Sequence, residues 1–254
     1  MAGHGPGPGH RRSDRRRSRG AFLGGSEAAH YDPAMDFVRP PRSVPISLVA
    51  GKGHYRSVVE AVLAAERSVW IATANLKELM VEDPRLRPGK ARTARGSYRS
   101  VVEVFDELAA KEVELRILHA GFPSMAFRRA FDRHPRLVRG GLELRLCPRV
   151  HLKAVIVDAR LLYLGSANWT GAGLGAKGEG RRNFEIGFTT DDELMIDEVQ
   201  ALFDTIWQGA ACAGCKLREL CEAPLDGKRE VTQIRRKVGA RRAKTAPARP
   251  RRRA

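Results

Sequence analysis

HLKAVIVDARLLYLGSAN, residues 151–168, joins two apolar runs to polar residues at fixed intervals. We predict that residues 153–157 and 161–164 form a strand hairpin around Asp158, because both runs are almost entirely apolar. Strands of this composition belong in a buried sheet. The polar residues at the outer ends of the hairpin are therefore expected at the edge of that sheet.

Four polar groups are predicted to meet at this edge. Residues i and i+2 of a strand share a face, so His151 and Lys153 should point the same way. Ser166 and Asn168 follow the second strand and can bring a hydroxyl and an amide to the same rim. An imidazole, an ammonium, a hydroxyl and an amide together suit an anion such as phosphate.

The spacing H-x-K, four residues, D, six residues, G-S-x-N resembles the phospholipase D superfamily, whose HKD signature is matched at every fixed position. The resemblance covers residues 45–208. It implies that His151 attacks phosphorus and forms a phosphohistidine, which water then hydrolyses. It also implies that Lys153 and Asn168 bind the non-bridging phosphate oxygens, with Ser166 alongside.

Two acidic residues complete the resemblance. Asp158 is expected to fix local geometry rather than to take part in the chemistry. Glu185, in a strand predicted at 183–188, resembles the carboxylate that orients the histidine and favours its charged form. The alternative for Glu185 is an exposed strand residue without a catalytic role. The family mechanism uses no metal or other cofactor for catalysis.

That mechanism needs a second histidine to protonate the leaving oxygen. None of the remaining histidines is followed by a lysine at i+2: His4, His10, His30, His54, His119 and His134. The chain therefore carries half a site, and single-motif members of the superfamily complete the site by pairing two subunits. We expect a two-fold homodimer that places two His151 side chains across one phosphate.

The rest of the chain alternates helices with strands. Apolar periodicity predicts helices at 54–66, 98–111, 124–133 and 191–208, and further strands at 68–74, 113–118, 142–146 and 183–188. This alternation indicates an α/β fold in which helices cover a central sheet, and the resemblance implies that the sheet is mixed. Loops are predicted at 77–97 and 171–182.

The second of these loops contains GLGAKG at 173–178, which satisfies the dinucleotide signature G-x-G-x-x-G. The pattern does not lie between a first strand and its helix, so no dinucleotide site is predicted. We expect a mobile lip beside the active site, with Lys177, Arg181 and Arg182 able to reach a phosphate backbone.

The net charge of +17 comes almost entirely from the two ends of the chain. Residues 1–20 contribute +5 and residues 228–254 contribute +11, which leaves +1 for residues 21–227. Both ends are rich in Gly, Pro, Ala and Arg, which predicts disorder. The predicted units are a disordered basic tail (1–40), a catalytic domain (41–210), a cysteine-rich segment (211–227) and a second disordered basic tail (228–254).

These tails favour nucleic acid as a partner, because basic segments attract polyanions through counterion release. Anionic phospholipid is the alternative partner, since basic segments also bind anionic membranes. No apolar run approaches the roughly 20 residues that cross a bilayer, and no apolar stretch follows the N-terminal arginines as in a signal peptide. We therefore expect a cytoplasmic protein.

Cys212, Cys215 and Cys221 fall within ten residues, and Cys147 is the only other cysteine. A distant cysteine followed by C-x2-C-x5-C resembles the cluster-binding pattern of some iron–sulfur nucleases. A two-residue gap is also common in zinc sites. Three alternatives stay open: a structural iron–sulfur cluster, a structural zinc ion, and thiols that hold no metal, whether reduced or disulfide-bonded.

The leading functional hypothesis is a metal-independent phosphodiesterase that acts on DNA or RNA. A phospholipid hydrolase or transphosphatidylase is the alternative among enzymes, because the same site cleaves any accessible phosphodiester. Outside enzymes, the alternative is a nucleic-acid-binding protein that has kept the fold and lost activity. The intact motif argues against this last alternative.

Overall fold

A computed structural model describes residues 35–82 and 98–227. The predicted tail at 228–254, most of the tail at 1–40 and most of the loop at 77–97 lie outside the described residues. Residues 35–40 are described, and within them the Arg39 guanidinium forms a 2.7 Å ion pair with the Glu198 carboxylate. The account below concerns the described residues alone.

A seven-stranded sheet forms the centre of the fold. Its strands are β1 (Ser47–Ala50), β2 (Ser68–Thr73), β5 (Glu114–His119), β6 (Glu143–Leu146), β7 (Ala154–Val157), β8 (Leu161–Gly165) and β9 (Ile186–Thr190). They lie in the order β1-β9-β8-β7-β2-β5-β6. The neighbours β2, β5 and β6 run parallel, and every other neighbouring pair is antiparallel. The sheet is therefore mixed, as predicted.

Helices cover both faces of this sheet. They are α1 (Glu60–Leu63), which continues a π-helical turn at Tyr55–Val59, α2 (Val101–Ala110), α3 (Met125–Phe131) and α4 (Glu193–Trp207). One face packs Val69 and Ile71 of β2 into the same apolar cluster as Phe105 of α2. On the other face, Ala72 of β2 packs with Phe203 of α4. This layered arrangement confirms the predicted α/β class.

Side chains that precede two helices explain where those helices begin. The Ser100 hydroxyl accepts the Val102 backbone N–H at 3.1 Å, and the Asp192 carboxylate accepts the Met195 N–H at 2.8 Å. Such caps satisfy backbone donors that have no partner inside the helix. Helix α4 therefore starts two residues after the acidic residue Asp191 with which the predicted helix began.

The strands differ from the sequence prediction in three respects. Residues 98–100, predicted as helix, form β4 (Tyr98–Ser100), which pairs with β3 (Met80–Glu82) from the predicted loop at 77–97. The strand predicted at 183–188 begins only at Ile186, because the Asn183 backbone N–H binds the Ala172 carbonyl instead of a neighbouring strand. Strand β1, which pairs with β9 and comes first in the strand order, was not predicted.

Strand β7 lies in the interior of the sheet, and all four of its residues are buried. Burial on both faces explains why it is apolar throughout instead of alternating. Strand β7 is antiparallel to both β2 and β8, and β8 is antiparallel to β9. Four strand ends therefore lie side by side at one edge of the sheet. These are the end of β2, the start of β7, the end of β8 and the start of β9.

Candidate active site

His151 and Lys153 lie in the irregular segment that leads into β7, and not on the strand itself. The hairpin was predicted to begin at Lys153, but β7 begins at Ala154. The last contact with β8 is a 3.3 Å hydrogen bond from the Gly165 N–H to the Lys153 carbonyl, after which the chain leaves the sheet. The His151 side chain is exposed at this edge.

The two side chains are in direct contact. The Lys153 Nζ lies 3.0 Å from Nδ1 and 3.1 Å from Nε2 of His151, and it donates to the His151 carbonyl at 2.8 Å. Partial burial lowers the pKa of the Lys153 ammonium, and the negative charge of Glu185 acts in the opposite direction. The Lys153 ammonium and the His151 imidazole thus lie side by side at the sheet edge.

Asn168 is held through its amide oxygen. Its Oδ1 accepts the Asn75 backbone N–H at 3.1 Å and lies 3.2 Å from the hydroxyl of Thr73, the last residue of β2. That hydroxyl also accepts the Trp169 N–H at 2.9 Å. With the oxygen committed to the protein, the amide NH₂ is the part of Asn168 that can donate to a ligand.

Ser166 and Glu185 form a second pair at the same edge. The Ser166 hydroxyl donates to Oε2 of Glu185 at 2.5 Å and accepts the Ile186 N–H at 3.1 Å. The Asn183 amide donates to Oε1 of Glu185 at 3.0 Å. Among the described residues no hydrogen bond joins Glu185 to His151. The carboxylate therefore contacts Ser166 directly and influences Lys153 through its charge.

Tyr163 supports the turn that carries Ser166 and Asn168. Its buried hydroxyl accepts the Ala167 N–H at 3.3 Å, and burial raises the pKa of Tyr163 to about 12. A Cβ at Gly165 would lie 2.4 Å from the Tyr163 hydroxyl oxygen, and one at Gly187 would lie 2.5 Å from its ring. Only glycine fits on either side of this ring.

Asp158 lies at the opposite end of the β7–β8 hairpin. Its carboxylate accepts the backbone N–H groups of Arg67 at 2.7 Å, Ser68 at 2.9 Å and Glu66 at 3.0 Å. Partial burial acts to raise the pKa of Asp158, but these three donors outweigh it and hold the pKa below its usual value. Every strong contact of this side chain is with the backbone that enters β2.

The sequence of the chain also matches a known protein family over most of the described residues. The family model described as "Cardiolipin synthase, PLD-like domain" matches residues 58–207, which is more than half of the chain. The chain belongs to the phospholipase D superfamily. No protein of curated function matches it.

Several solved structures resemble this phospholipase D domain at low identity. NucT from Helicobacter pylori matches with a TM-score of 0.44 and 16% identity over 64% of this chain and 95% of its own. Nuc from Salmonella typhimurium, a phospholipase D family member, matches with a TM-score of 0.42 and 16% identity over 63% and 93%. The phosphatidylserine synthase of Haemophilus influenzae matches with a TM-score of 0.43 and 18% identity over 67% and 40%.

A polar pocket opens beside Asn168 of the phospholipase D site. It is lined by Asn75, Lys77, Glu78, Asn168, Thr170, Gly171, Ala172, Lys177 and Asn183. The glycine-rich loop predicted as a lip forms one wall of this pocket through Lys177. Gly173 is required there because a Cβ would lie 2.7 Å from the Asn168 carbonyl oxygen. Phe184, next to Asn183, is fully exposed.

The sequence did not single out several groups around this phospholipase D site. Thr73, Asn75 and Lys77 are alternate residues at and just after the end of β2. The sequence signal that could have identified them is the change from apolar to polar residues at this point. Phe184 gives no signal in the sequence, because an aromatic residue in a predicted strand is ordinarily a core residue. Tyr163 lies inside the motif and was grouped with its apolar neighbours.

The other described histidines lie outside the exposed site. His54 and His119 are buried, at 0% and 4% exposure, and burial lowers the pKa of both imidazoles. His134 lies 3.4 Å from the Asp106 carboxylate. His4, His10 and His30 fall outside the described residues. Within residues 35–82 and 98–227, His151 is thus the one histidine exposed at the phospholipase D motif.

The cysteines lie away from this site: Cys147 directly follows β6, and the other three follow α4. All four line one pocket. All four are free thiols. In the part of the chain that the structure describes, no three His, Cys, Asp or Glu side chains already surround a single point as metal ligands do. In that same part, no helix is both long enough and apolar enough to span a membrane.

Proposed function

We propose that this protein is a phosphodiesterase that cleaves nucleic acid through a phosphohistidine formed at His151. The observation that carries the proposal is the meeting of His151, Lys153 and the Asn168 amide at one exposed sheet edge, beside a pocket that contains two further lysines. A nucleophile and several donors for phosphate oxygens are then available together.

The first chemical step follows from these groups. A ring nitrogen of His151 attacks phosphorus as the bond to the leaving oxygen breaks, and that oxygen takes a proton from a second imidazole. The Lys153 ammonium and the Asn168 NH₂ bind the non-bridging oxygens, where negative charge accumulates. In the second step, water attacks phosphorus and gives its proton to the second imidazole, which releases His151 and the product phosphate.

Ser166, Glu185 and Asp158 support this chemistry at a distance. Glu185 holds Ser166 and places a negative charge near Lys153, so its part in the proposal is to position the phosphate-binding groups. Asp158 acts through the backbone at the start of β2 and has no chemical role.

The second imidazole comes from another copy of the chain in this proposal. The buried His54 and His119 cannot reach an exposed phosphate without unpacking the core. A two-fold homodimer supplies a second His151 with the same surroundings. Each His151 then serves as nucleophile or as acid, depending on the direction in which the strand binds.

Three features favour nucleic acid over phospholipid. A strand carries phosphates on both sides of the one that is cleaved, and Lys77 and Lys177 beside the site can bind a neighbouring phosphate. The fully exposed Phe184 offers a ring on which a base can stack. The basic ends of the chain add attraction for a polyanion.

Phospholipid is the second candidate, and Phe184 is also the observation that favours it. An exposed aromatic ring beside the site could enter a membrane interface as well as stack on a base. The same histidine chemistry would then release or transfer a lipid headgroup. A protein that binds nucleic acid without cleaving it is the third candidate.

One preparation of the full chain can separate these candidates. Labelled single-stranded DNA, labelled RNA and cardiolipin vesicles are incubated with wild type and with His151→Gln in EDTA. We expect cleavage of nucleic acid by wild type alone, with inhibition by vanadate, which mimics phosphate. Release of lipid headgroups without nucleic-acid cleavage selects the second candidate, and strand binding without any product selects the third. A strict need for added divalent metal contradicts the mechanism.

Subunit mixing tests the shared site. Wild type is mixed with excess His151→Ala under conditions in which subunits exchange, and activity per wild-type chain should fall because each mixed dimer lacks one imidazole. His134→Ala is the matched control, since its site is complete and it should not suppress activity. Sedimentation at assay concentration should give a dimer. A fully active monomer would refute the half-site argument.

A further inference from the structure

The segment that follows α4 has no core of its own. From residue 210 to residue 227 no side chain that the structure describes is buried, and the regular structure is one 3-10 turn at Arg218–Leu220. A short segment that buries so little apolar surface is normally held in place by a disulfide or a metal. Leu225 packs against the apolar cluster of Phe203 and Trp207, and the Arg218 guanidinium pairs with the Asp226 carboxylate at 2.6 Å, but neither contact involves the cysteines.

Successive turns bring three cysteines of this segment to one side. The Cys215 N–H binds the Cys212 carbonyl at 3.2 Å, the Arg218 N–H binds the Cys215 carbonyl at 2.9 Å, and the Cys221 N–H binds the Arg218 carbonyl at 3.2 Å. Each bond closes a tight turn. The thiols at the start and end of these turns face a common pocket.

The fourth cysteine belongs to the sheet. Cys147 directly follows β6, and its backbone N–H binds the His119 carbonyl at the end of β5 at 2.9 Å. The pocket that it shares with the other three is otherwise lined by Leu146, Pro148, Arg149, Leu217, Arg218, Pro224 and Leu225. The leucines and prolines of this lining lower the local polarity, and the two arginines can balance the negative charge of thiolates. Residues 65 positions apart in the sequence thus converge on one site.

We propose that Cys147, Cys212, Cys215 and Cys221 bind one metal centre as four thiolates and so fasten residues 210–227 to the sheet. Soft thiolate ligands select zinc or iron–sulfur clusters over hard cations such as Mg²⁺ and Ca²⁺. Each thiol loses a proton to solvent as its sulfur–metal bond forms, and no sulfur is oxidised.

The two kinds of centre make different demands on the thiols. A tetrahedral zinc site with bonds of about 2.3 Å brings its sulfurs to about 3.8 Å from one another. Since no three thiols already surround one point, zinc requires the side chains to turn inward about their Cα–Cβ bonds. An iron–sulfur cluster is larger and spans four cysteines that lie farther apart. Four-thiolate ligation is common to both.

The test uses the full chain purified without oxygen. Zinc, iron and acid-labile sulfide are measured per chain, together with the visible spectrum and the number of thiols that react before and after unfolding. We expect either one zinc per chain, or iron and sulfide in equal amounts with a broad visible absorption. In both cases the thiols should be protected in the folded protein and reactive once it is unfolded.

Two variants assign the ligands. Cys147→Ser and Cys212→Ser should each weaken metal retention at least tenfold in competition with a chelator, whereas Lys216→Ser, an exposed neighbour in the same segment, should not change it. Circular dichroism of each variant establishes whether the domain is folded. Removing the metal from wild type should also speed proteolysis within residues 210–227, which does not depend on any variant.

Several outcomes would overturn the proposal. They are a folded wild type with four freely reactive thiols and no metal, a pair of disulfides in their place, and full metal retention by Cys147→Ser. None of these measurements depends on phosphodiesterase activity. An inactive protein with a full metal complement would refute the proposed function and leave the metal site intact.

Discussion

The two ends of the β7–β8 hairpin contain residues of one motif that are used in opposite ways. At one end, His151 and Lys153 contact each other and are open to a ligand. At the other end, the Asp158 carboxylate receives three backbone N–H groups and has little capacity left for anything else. In the hairpin that joins them, β7 is wholly buried, and Leu162 and Tyr163 of β8 are buried as well.

This difference separates residues that act on substrate from residues that build the site. An exposed polar group whose bonding capacity is unused can bind a phosphate, and its removal costs the fold little. A carboxylate saturated by backbone donors contributes to stability, and its removal leaves those donors without partners. Spacing in the sequence does not distinguish these roles, because both kinds of residue occur at fixed positions.

The largest effect on activity is expected at the end of the hairpin that holds His151 and Lys153. His151→Ala should lower kcat by about 10⁴-fold or more, because no other described side chain can form the covalent intermediate. The melting temperature should change little, since the side chain is exposed. Activity on labelled single-stranded DNA and a thermal melt measure the two quantities. Residual activity within tenfold of wild type would remove His151 as the nucleophile.

Asn168 tests whether the amide NH₂ is the acting group. Asn168→Asp keeps the shape and the oxygen that accepts the Asn75 N–H, but it replaces the donor with a second oxygen. We expect kcat to fall by about 10²-fold to 10³-fold in this variant and in Asn168→Ala. Thr73→Val, which removes only the hydroxyl that supports Asn168, should cost less. An active Asn168→Asp would assign phosphate binding to other groups.

Substitution of Asp158, at the other end of the hairpin, should change the stability of the protein more than its activity. Asp158→Ala removes three acceptor contacts and places alanine at a φ of +56°, so we expect the free energy of unfolding to fall by about 2 kcal/mol. Asp158→Asn, which tolerates that φ and keeps one acceptor oxygen, should lose about half as much. Denaturant titration gives these values. A large fall in kcat with unchanged stability would reverse the assignment of the two ends.

The effect of the Asp158 variants on stability should depend on pH. The pKa of Asp158 is lower in the folded protein than in the unfolded chain, so its ionised form stabilises the fold. That contribution is complete above the unfolded pKa of about 3.9 and is lost as the pH falls through the lower folded value. The stability gap between wild type and Asp158→Asn should therefore be constant near pH 7 and shrink below about pH 4.

The smallest effects are expected around the pocket. Lys77→Ala and Lys177→Ala should each weaken strand binding a few-fold at low salt and lower the salt slope by about 0.7, as for one lost phosphate contact. Phe184→Ala should weaken binding with no change in slope, because stacking is not ionic. Lys111→Ala, an exposed lysine after α2, is the control. If Lys111→Ala weakened strand binding as much as the pocket variants, total charge and not the position of the lysine would determine the affinity.

Much of the site could be predicted because its chemistry is local in the sequence. His151, Lys153, Ser166 and Asn168 lie within 18 residues, and two apolar runs fix how they fold back on one another. Glu185 was harder to predict, since its carboxylate bonds depend on where β9 begins. That boundary is set by the contact of Asn183 with Ala172 across a loop, which no periodicity reveals.

Contacts between distant parts of the chain account for the rest. Residues 98–100 directly precede the apolar helical pattern of α2, and pairing with Met80–Glu82 makes them a strand. The approach of Cys147 to the C-terminal cysteines depends on β6 lying at the end of the sheet order. The helices α2 and α4 were predicted well because their periodicity and capping residues are local.

The ring of Tyr163, enclosed by Gly165 and Gly187, lies where two paired strands leave no room for another side chain. A methyl group at Gly165 would lie 2.4 Å from the Tyr163 hydroxyl oxygen and 2.8 Å from the Ile186 carbonyl oxygen, and one at Gly187 would lie 2.5 Å from the ring and 2.7 Å from the Leu164 carbonyl oxygen. A smaller residue at 163 would therefore not make room for a substitution at either glycine. A smaller residue at 163 would in turn release the Ala167 N–H and loosen the turn that holds Asn168. The three positions are therefore held by separate causes: the glycines by the backbone of the paired strands, and Tyr163 by the turn that it supports.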